Sequence, residues 1–229
     1  MTSQHSLVYL RSFSAALLCG AALLPLCSCS TQTRTTGGHA VVVDSPRSRF
    51  PAVVPLPAPE APLVTPPVST RDLPNFHAVT AVLYRGAAPT SEGLNALQKM
   101  GIKTVIDLRI APKTVAKERA QLDRMGVHFI NLPMSGEPPT EAEIRTFLQT
   151  VADPAQQPVF VHCQHGADRT GTMVGIYREH VARWPFDRTY REMRQYGFNP
   201  HWKKLAATVR RFAPADSERT HTNGKNEGK

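Results

Sequence analysis

The densest chemistry in this chain lies in one short run, Val161-His162-Cys163-Gln164-His165-Gly166-Ala167-Asp168-Arg169-Thr170-Gly171. The apolar stretch PVFVH over 158–162 predicts a buried strand ending at His162, and Thr170 onward predicts a helix. A loop between them gathers backbone N–H groups around one point at the positive end of a helix, which makes an anion site out of main chain. Gly166 permits the tight turn and close approach to a ligand, and Arg169 can add a bidentate fork to two phosphate oxygens. The candidate phosphate cradle is therefore Gln164, His165, Gly166, Ala167, Asp168 and Arg169. Cys163 opens this ring. An ordinary thiol titrates near about 8.5, but helix N-termini and nearby cations bring it down to roughly 3.5–7.5. A site that holds a phosphate dianion also stabilises a thiolate, so the chemistry on offer is attack of sulfur on phosphorus, a phosphocysteine intermediate, and hydrolysis by water.

The string HCQHGADRTG resembles the His-Cys-x5-Arg signature of the protein tyrosine phosphatase superfamily. Residues 84–109, YRGAAPTSEGLNALQKMGIKTVIDLR, resemble the opening of the compact atypical dual-specificity phosphatases of bacteria, fungi and plants. The resemblance spans about Asp72 to Ala213. It implies Cys163 as nucleophile, Arg169 as phosphate ligand, Thr170 as the hydroxyl that helps the thiolate leave, and His162 as an orienter of the loop. It implies a phosphorylated protein or small phosphate ester as partner, with phosphotyrosine or dual specificity first and an inositol phosphate second.

The general acid is less plainly marked. Members of the family often carry an aspartate on a mobile loop upstream, whereas here the matching stretch NLPMSGEPPTEAE contains none. Glu137, flanked by Gly136, Pro138 and Pro139, is one candidate; Asp168 is preferred, since similar bacterial phosphatases hold an aspartate at that place in the loop. Either must be protonated when the leaving oxygen departs. A zinc site built on His162, Cys163 and His165 would need a fourth ligand at suitable spacing, so neither metal nor cofactor is expected. Arg109 is open to two readings, a substrate contact or a surface ion pair. A rhodanese-like sulfurtransferase and a non-catalytic phosphate-binding module are the competing readings of the same loop.

These residues need a scaffold, and the pattern around them supplies one. Strands are predicted over 78–84, 103–108, 127–132 and 158–162. Helices are predicted after Thr90 and Ser91, over 115–125, from the Thr140/Glu143 capping box, from Thr170, over 189–196 and over 202–212, with Gly101 and Gly126 as C-terminal stops. Alternation of strand and helix predicts an α/β fold, a small, mostly parallel twisted sheet flanked by helices, of the cysteine-dependent phosphatase type.

The 229 residues allow one domain with appendages. Residues 1–28 read as a lipoprotein-type signal peptide: Arg11, then the apolar run FSAALLCGAALLPL, which falls short of the ~20 residues a bilayer span needs. Leu26-Cys27-Ser28-Cys29 resembles a bacterial lipobox, which implies lipidation at Cys29; Ser30 after it implies the periplasmic face of the outer membrane. Residues 29–71 read as a tether, with eight prolines between Pro46 and Pro67. As polyproline II those 22 residues reach up to about 70 Å. Residues 72–213 form the expected phosphatase domain, monomeric, and 214–229 a polar, disordered tail. On this reading only Cys163 remains a free thiol in the mature chain. The net charge of +9 suits anionic partners, but no aromatic-interleaved basic stripe points to nucleic acid.

Overall fold

A computed structural model describes residues 69–214. The expected signal peptide, the Cys29 lipid site, the tether up to residue 68 and the tail from residue 215 lie outside the described residues.

The central strands are written in the sequence as short runs apolar on both faces. β3 (Thr104–Asp107) and β5 (Val159–His162) are buried at every position. Alternate side chains serve two different cores. Ile106, Val159 and Val161 face one cluster, with Phe147, Met173, Ile176 and Leu205, while Val105 and Phe160 face another, with Leu94, Leu97 and Leu122. This is the period-2 geometry of a strand with helices on both sides. α1 (Ser91–Lys99) and α2 (Pro112–Arg124) cover the second face. α3 (Glu141–Ala152), α4 (Asp168–His180), α5 (Phe186–Gln195) and α6 (Lys203–Arg210) cover the first. The Thr140/Glu143 capping box is present with both of its hydrogen bonds, and Gly101 and Gly126 end their helices at φ 79 and 68.

The sheet order is β1-β2-β5-β3-β4, where β1 is His77–Ala78, β2 Leu83–Gly86 and β4 His128–Asn131. β2, β5, β3 and β4 run parallel, and β1 is an antiparallel edge on β2. The α/β class with a mostly parallel sheet is as expected, but the single strand predicted over 78–84 is two. The Thr80 hydroxyl accepts hydrogen bonds from the N–H groups of Val82 and Leu83, at 3.2 and 3.1 Å, and turns the chain back on itself. Three helix starts also move by two residues or more: α2 begins at Pro112, whose fixed φ suits a first turn, α4 begins at Asp168 instead of Thr170, and α5 begins at Phe186 instead of Thr189. The parallel register aligns Gly86, His162, Asp107 and Asn131 in one row. All four strands thus end at the same edge, where open α/β sheets bind ligands.

Candidate functional site

The loop that follows β5 rises from this edge. Cys163 is the first residue past the strand and is buried, at 2% exposure. Gly166 sits at φ 69, and a side chain there would meet the Gly86 carbonyl carbon at 2.5 Å. Only glycine fits that crossing. Three successive carbonyls of the loop are bound from outside by the neighbouring segments: Gln164 O by Ala88 N (3.4 Å), His165 O by Asn75 Nδ2 (3.2 Å) and Gly166 O by Arg85 Nη2 (2.7 Å). In a trans peptide the N–H points opposite to the C=O. The N–H groups of His165, Gly166 and Ala167 are therefore turned away from these donors, toward the interior of the loop.

Burial alone would push the Cys163 thiol pKa up. It is nonetheless lowered, because the hydroxyl and N–H of Thr170, the Arg169 guanidinium and the His165 N–H all stabilise sulfur as the thiolate. The Thr170 hydroxyl is fully buried and finds no hydrogen-bond partner among the described residues; its influence falls on the Cys163 sulfur, whose thiolate it favours.

Arg169 and Asp168 occupy the first turn of α4. Arg169 Nη1 reaches the carbonyls of Leu108 (3.4 Å) and Met134 (3.3 Å), which tie it to the end of β3 and to the chain beyond β4. Asp168 Oδ1 accepts the N–H of Asn199 at 2.8 Å. Gln164 and His165 are exposed at the mouth, and Ala167 is half-buried. Glu137 stands elsewhere: both of its oxygens are bound by Lys204 Nζ, at 3.0 and 2.8 Å, in a pair about two-thirds exposed. Its loop is also held by Trp202, whose ring would meet a side chain on Gly136 at 2.6 Å. The structure thus brings Cys163, Gln164, His165, Gly166 and Ala167 in the loop together with Asp168, Arg169 and Thr170 in the first turn of α4, and leaves Glu137 tethered to α6.

Beneath the cysteine lies a charged cluster that sequence reasoning missed. His162 Nε2 meets Glu118 Oε1 at 2.8 Å, and Arg109 Nη2 bonds both Glu118 (2.5 Å) and Asp107 (2.9 Å). Arg109 is 8% exposed, so it makes no surface ion pair; it is the cation shared by two buried carboxylates, Asp107 and Glu118. Burial pushes the His162 pKa down, but the hydrogen bond and charge of Glu118, with Asp107, outweigh it and raise it. Glu118 was hidden because α2 reads as a solvated helix; its one signal was a carboxylate on the same face as Leu122, the other buried position of that helix.

Stability from a raised histidine pKa is fully present below the unfolded value near 6.5 and is lost as pH rises through the folded value. Glu118→Gln is expected to cost about 3 kcal/mol, the scale of breaking a buried pair. Denaturant unfolding at pH 5.5 and 8 should show a wider gap from wild type at pH 5.5.

A cysteine raised on a loop of inward amides between a parallel strand and a helix, over a five-stranded sheet, is the architecture of the PTP-like phosphatases. Residues 64–210 match the family model described as "DSP-PTPase phosphatase fused to NAD+ Kinase", and the chain belongs to that family. It is 31% identical over 125 residues to the dual specificity protein phosphatase TpbA of Pseudomonas aeruginosa, covering 54% of this chain and 55% of that one. It is 28% identical over 131 residues to the inositol diphosphatase SIW14 of Saccharomyces cerevisiae, covering 54% and 46%. The crystal structure of a cysteine-to-serine variant of the P. aeruginosa TpbA in complex with pTyr superposes with a TM-score of 0.53, at 26% identity, over 69% of this chain and 94% of that one. The chain spans about half the length of the curated relatives it matches.

Proposed function

We propose that this protein hydrolyses phosphate monoesters, phosphotyrosine or dual-specificity protein substrates first, through a phosphocysteine on Cys163. The observation that carries the reading is a buried cysteine whose thiol pKa is lowered inside an amide-lined loop that ends in Arg169. In this reading the N–H groups of residues 164–169 and the Arg169 guanidinium hold the phosphoryl oxygens and stabilise charge as it builds. Sulfur attacks phosphorus, the bond to the leaving oxygen breaks, and Asp168 supplies that oxygen's proton. The Thr170 hydroxyl stabilises the sulfur when water later cleaves the phosphocysteine. An inositol phosphate is the second substrate reading, supported by the matched relative named an inositol diphosphatase. Phosphate release by the full chain from a phosphotyrosine peptide, a phosphothreonine peptide and an inositol polyphosphate tests it. Release from the phosphotyrosine peptide is expected to be the fastest; release from none would leave the phosphate-binding module in its place.

The location belongs to the same proposal. Residues 1–28 and Cys29 support export and a lipid anchor on the periplasmic face of the outer membrane. Among the described residues no helix is long and apolar enough to cross a membrane. In bacterial cells, the full chain is expected in the membrane fraction and its Cys29→Ser variant outside it; a membrane-bound Cys29→Ser protein would sink the anchor assignment.

A further inference from the structure

The Arg85 side chain is a buried cation with unpartnered nitrogens that the mechanism above does not use, although it lies directly behind the phosphate loop. β2 pairs with β5 so that Arg85 stands opposite Val161 and Gly86 opposite His162, the residue before the nucleophile. Arg85 is 1% exposed. Its Nη2 donates to the Gly166 carbonyl at 2.7 Å, and its guanidinium carbon lies 4.6 Å from the centre of the Tyr196 ring. Nε and Nη1 find no hydrogen-bond acceptor among the described residues. The carboxylate acting on it, Glu192, is already ion-paired to Arg178 at 2.9 Å.

A buried cation without a carboxylate on it is costly, and such charges ordinarily carry a counterion in contact. Here an aromatic face and one carbonyl take part of the charge. We infer that Arg85 is a positioning residue for the phosphate site: through the Gly166 carbonyl it fixes the peptide whose N–H, that of Ala167, points into the loop, and its charge stabilises the Cys163 thiolate and the bound phosphate from behind. Burial brings its own pKa down to about 10, against the pull of Glu192, Tyr196 and Cys163, so the group is charged at neutral pH. The countercharge that Arg85 lacks in contact is thus the anion that the loop carries. Charge in a buried setting acts over more than contact distance because screening there is weak.

This inference rests on the phosphatase reading for its purpose, but its test does not depend on turnover. The rate at which iodoacetamide alkylates Cys163 in the full chain, followed against pH, reports the thiolate directly. Arg85→Gln retains a donor for the Gly166 carbonyl and removes the charge; Arg85→Lys retains the charge. The Gln variant is expected to react about tenfold more slowly than wild type on the acid side of its profile, the equivalent of about one pH unit, with the Lys variant close to wild type. Inorganic phosphate should protect the thiol less well in the Gln variant. An unshifted Gln profile, an equal shift in the Lys variant, or loss of the folded near-UV signal in both would overturn the inference. A wild-type protein that releases no phosphate but shows the expected shifts would overturn the phosphatase reading alone.

Discussion

Cys163→Ser is expected to reduce phosphate release by about ten-thousand-fold or more while leaving the fold and phosphate binding in place. Losses of that size accompany removal of a nucleophile that forms a covalent intermediate. Serine has nearly the same shape, so the buried site need not rearrange. What changes is ionisation. The Thr170 hydroxyl and N–H, the Arg169 guanidinium and the His165 N–H lower a thiol pKa against the opposing effect of burial; an alcohol, far less acidic, stays protonated under the same influences. The same donors remain in place to hold a phosphoryl group in the proposed mode, so a phosphotyrosine peptide should raise the melting temperature of the variant. Phosphate release and thermal unfolding, measured on one preparation, check both halves. Residual turnover within tenfold of wild type would remove Cys163 from the mechanism.

Asp168→Asn should lower turnover of a phosphotyrosine peptide by about a hundred- to ten-thousand-fold, the span of general acid catalysis, and Glu137→Gln by no more than about twofold. The two carboxylates differ in what holds them. Asp168 follows directly on the loop in the first turn of α4, with one oxygen fixed by the Asn199 N–H at 2.8 Å. That leaves the second oxygen to carry a proton, and asparagine preserves the first contact. Both oxygens of Glu137 are bound by Lys204, with the Trp202 ring packed on Gly136 beside it. A further readout separates acid catalysis from simple damage. An ester whose leaving group departs without a proton, such as p-nitrophenyl phosphate, should suffer much less from Asp168→Asn than the peptide does. Equal losses on both substrates would reassign Asp168 to loop structure, and a large loss in Glu137→Gln would move the acid to the loop after β4.

Much of this site is legible in the chain because its parts are adjacent in it. A buried strand, a glycine turn and a helix start follow one another within a dozen residues, and each has a local cause: apolar runs, a left-handed glycine, unsatisfied helix N–H groups. That local grammar is enough to nominate Cys163, Gly166, Arg169 and Thr170 and to expect an α/β sheet. It was insufficient over 78–84, where alternation reads as one strand and the Thr80 hydroxyl instead closes a hairpin. It was also insufficient for Arg109, which is buried between Asp107 at the end of β3 and Glu118 on α2.

What the sequence by itself determined is therefore the class of scaffold and the candidate loop that it carries. Only the tertiary structure decided which residues hold that loop in register: Glu118 under His162 from 44 residues away, Asn75 on the His165 carbonyl from 90, Arg85 on the Gly166 carbonyl from 81, and Asn199 on Asp168 from 31. No periodicity links such pairs, because they are made by strand order and helix docking across the sheet. A charged residue on a helix or strand reads as solvated until the packing places it beside a partner that water cannot reach.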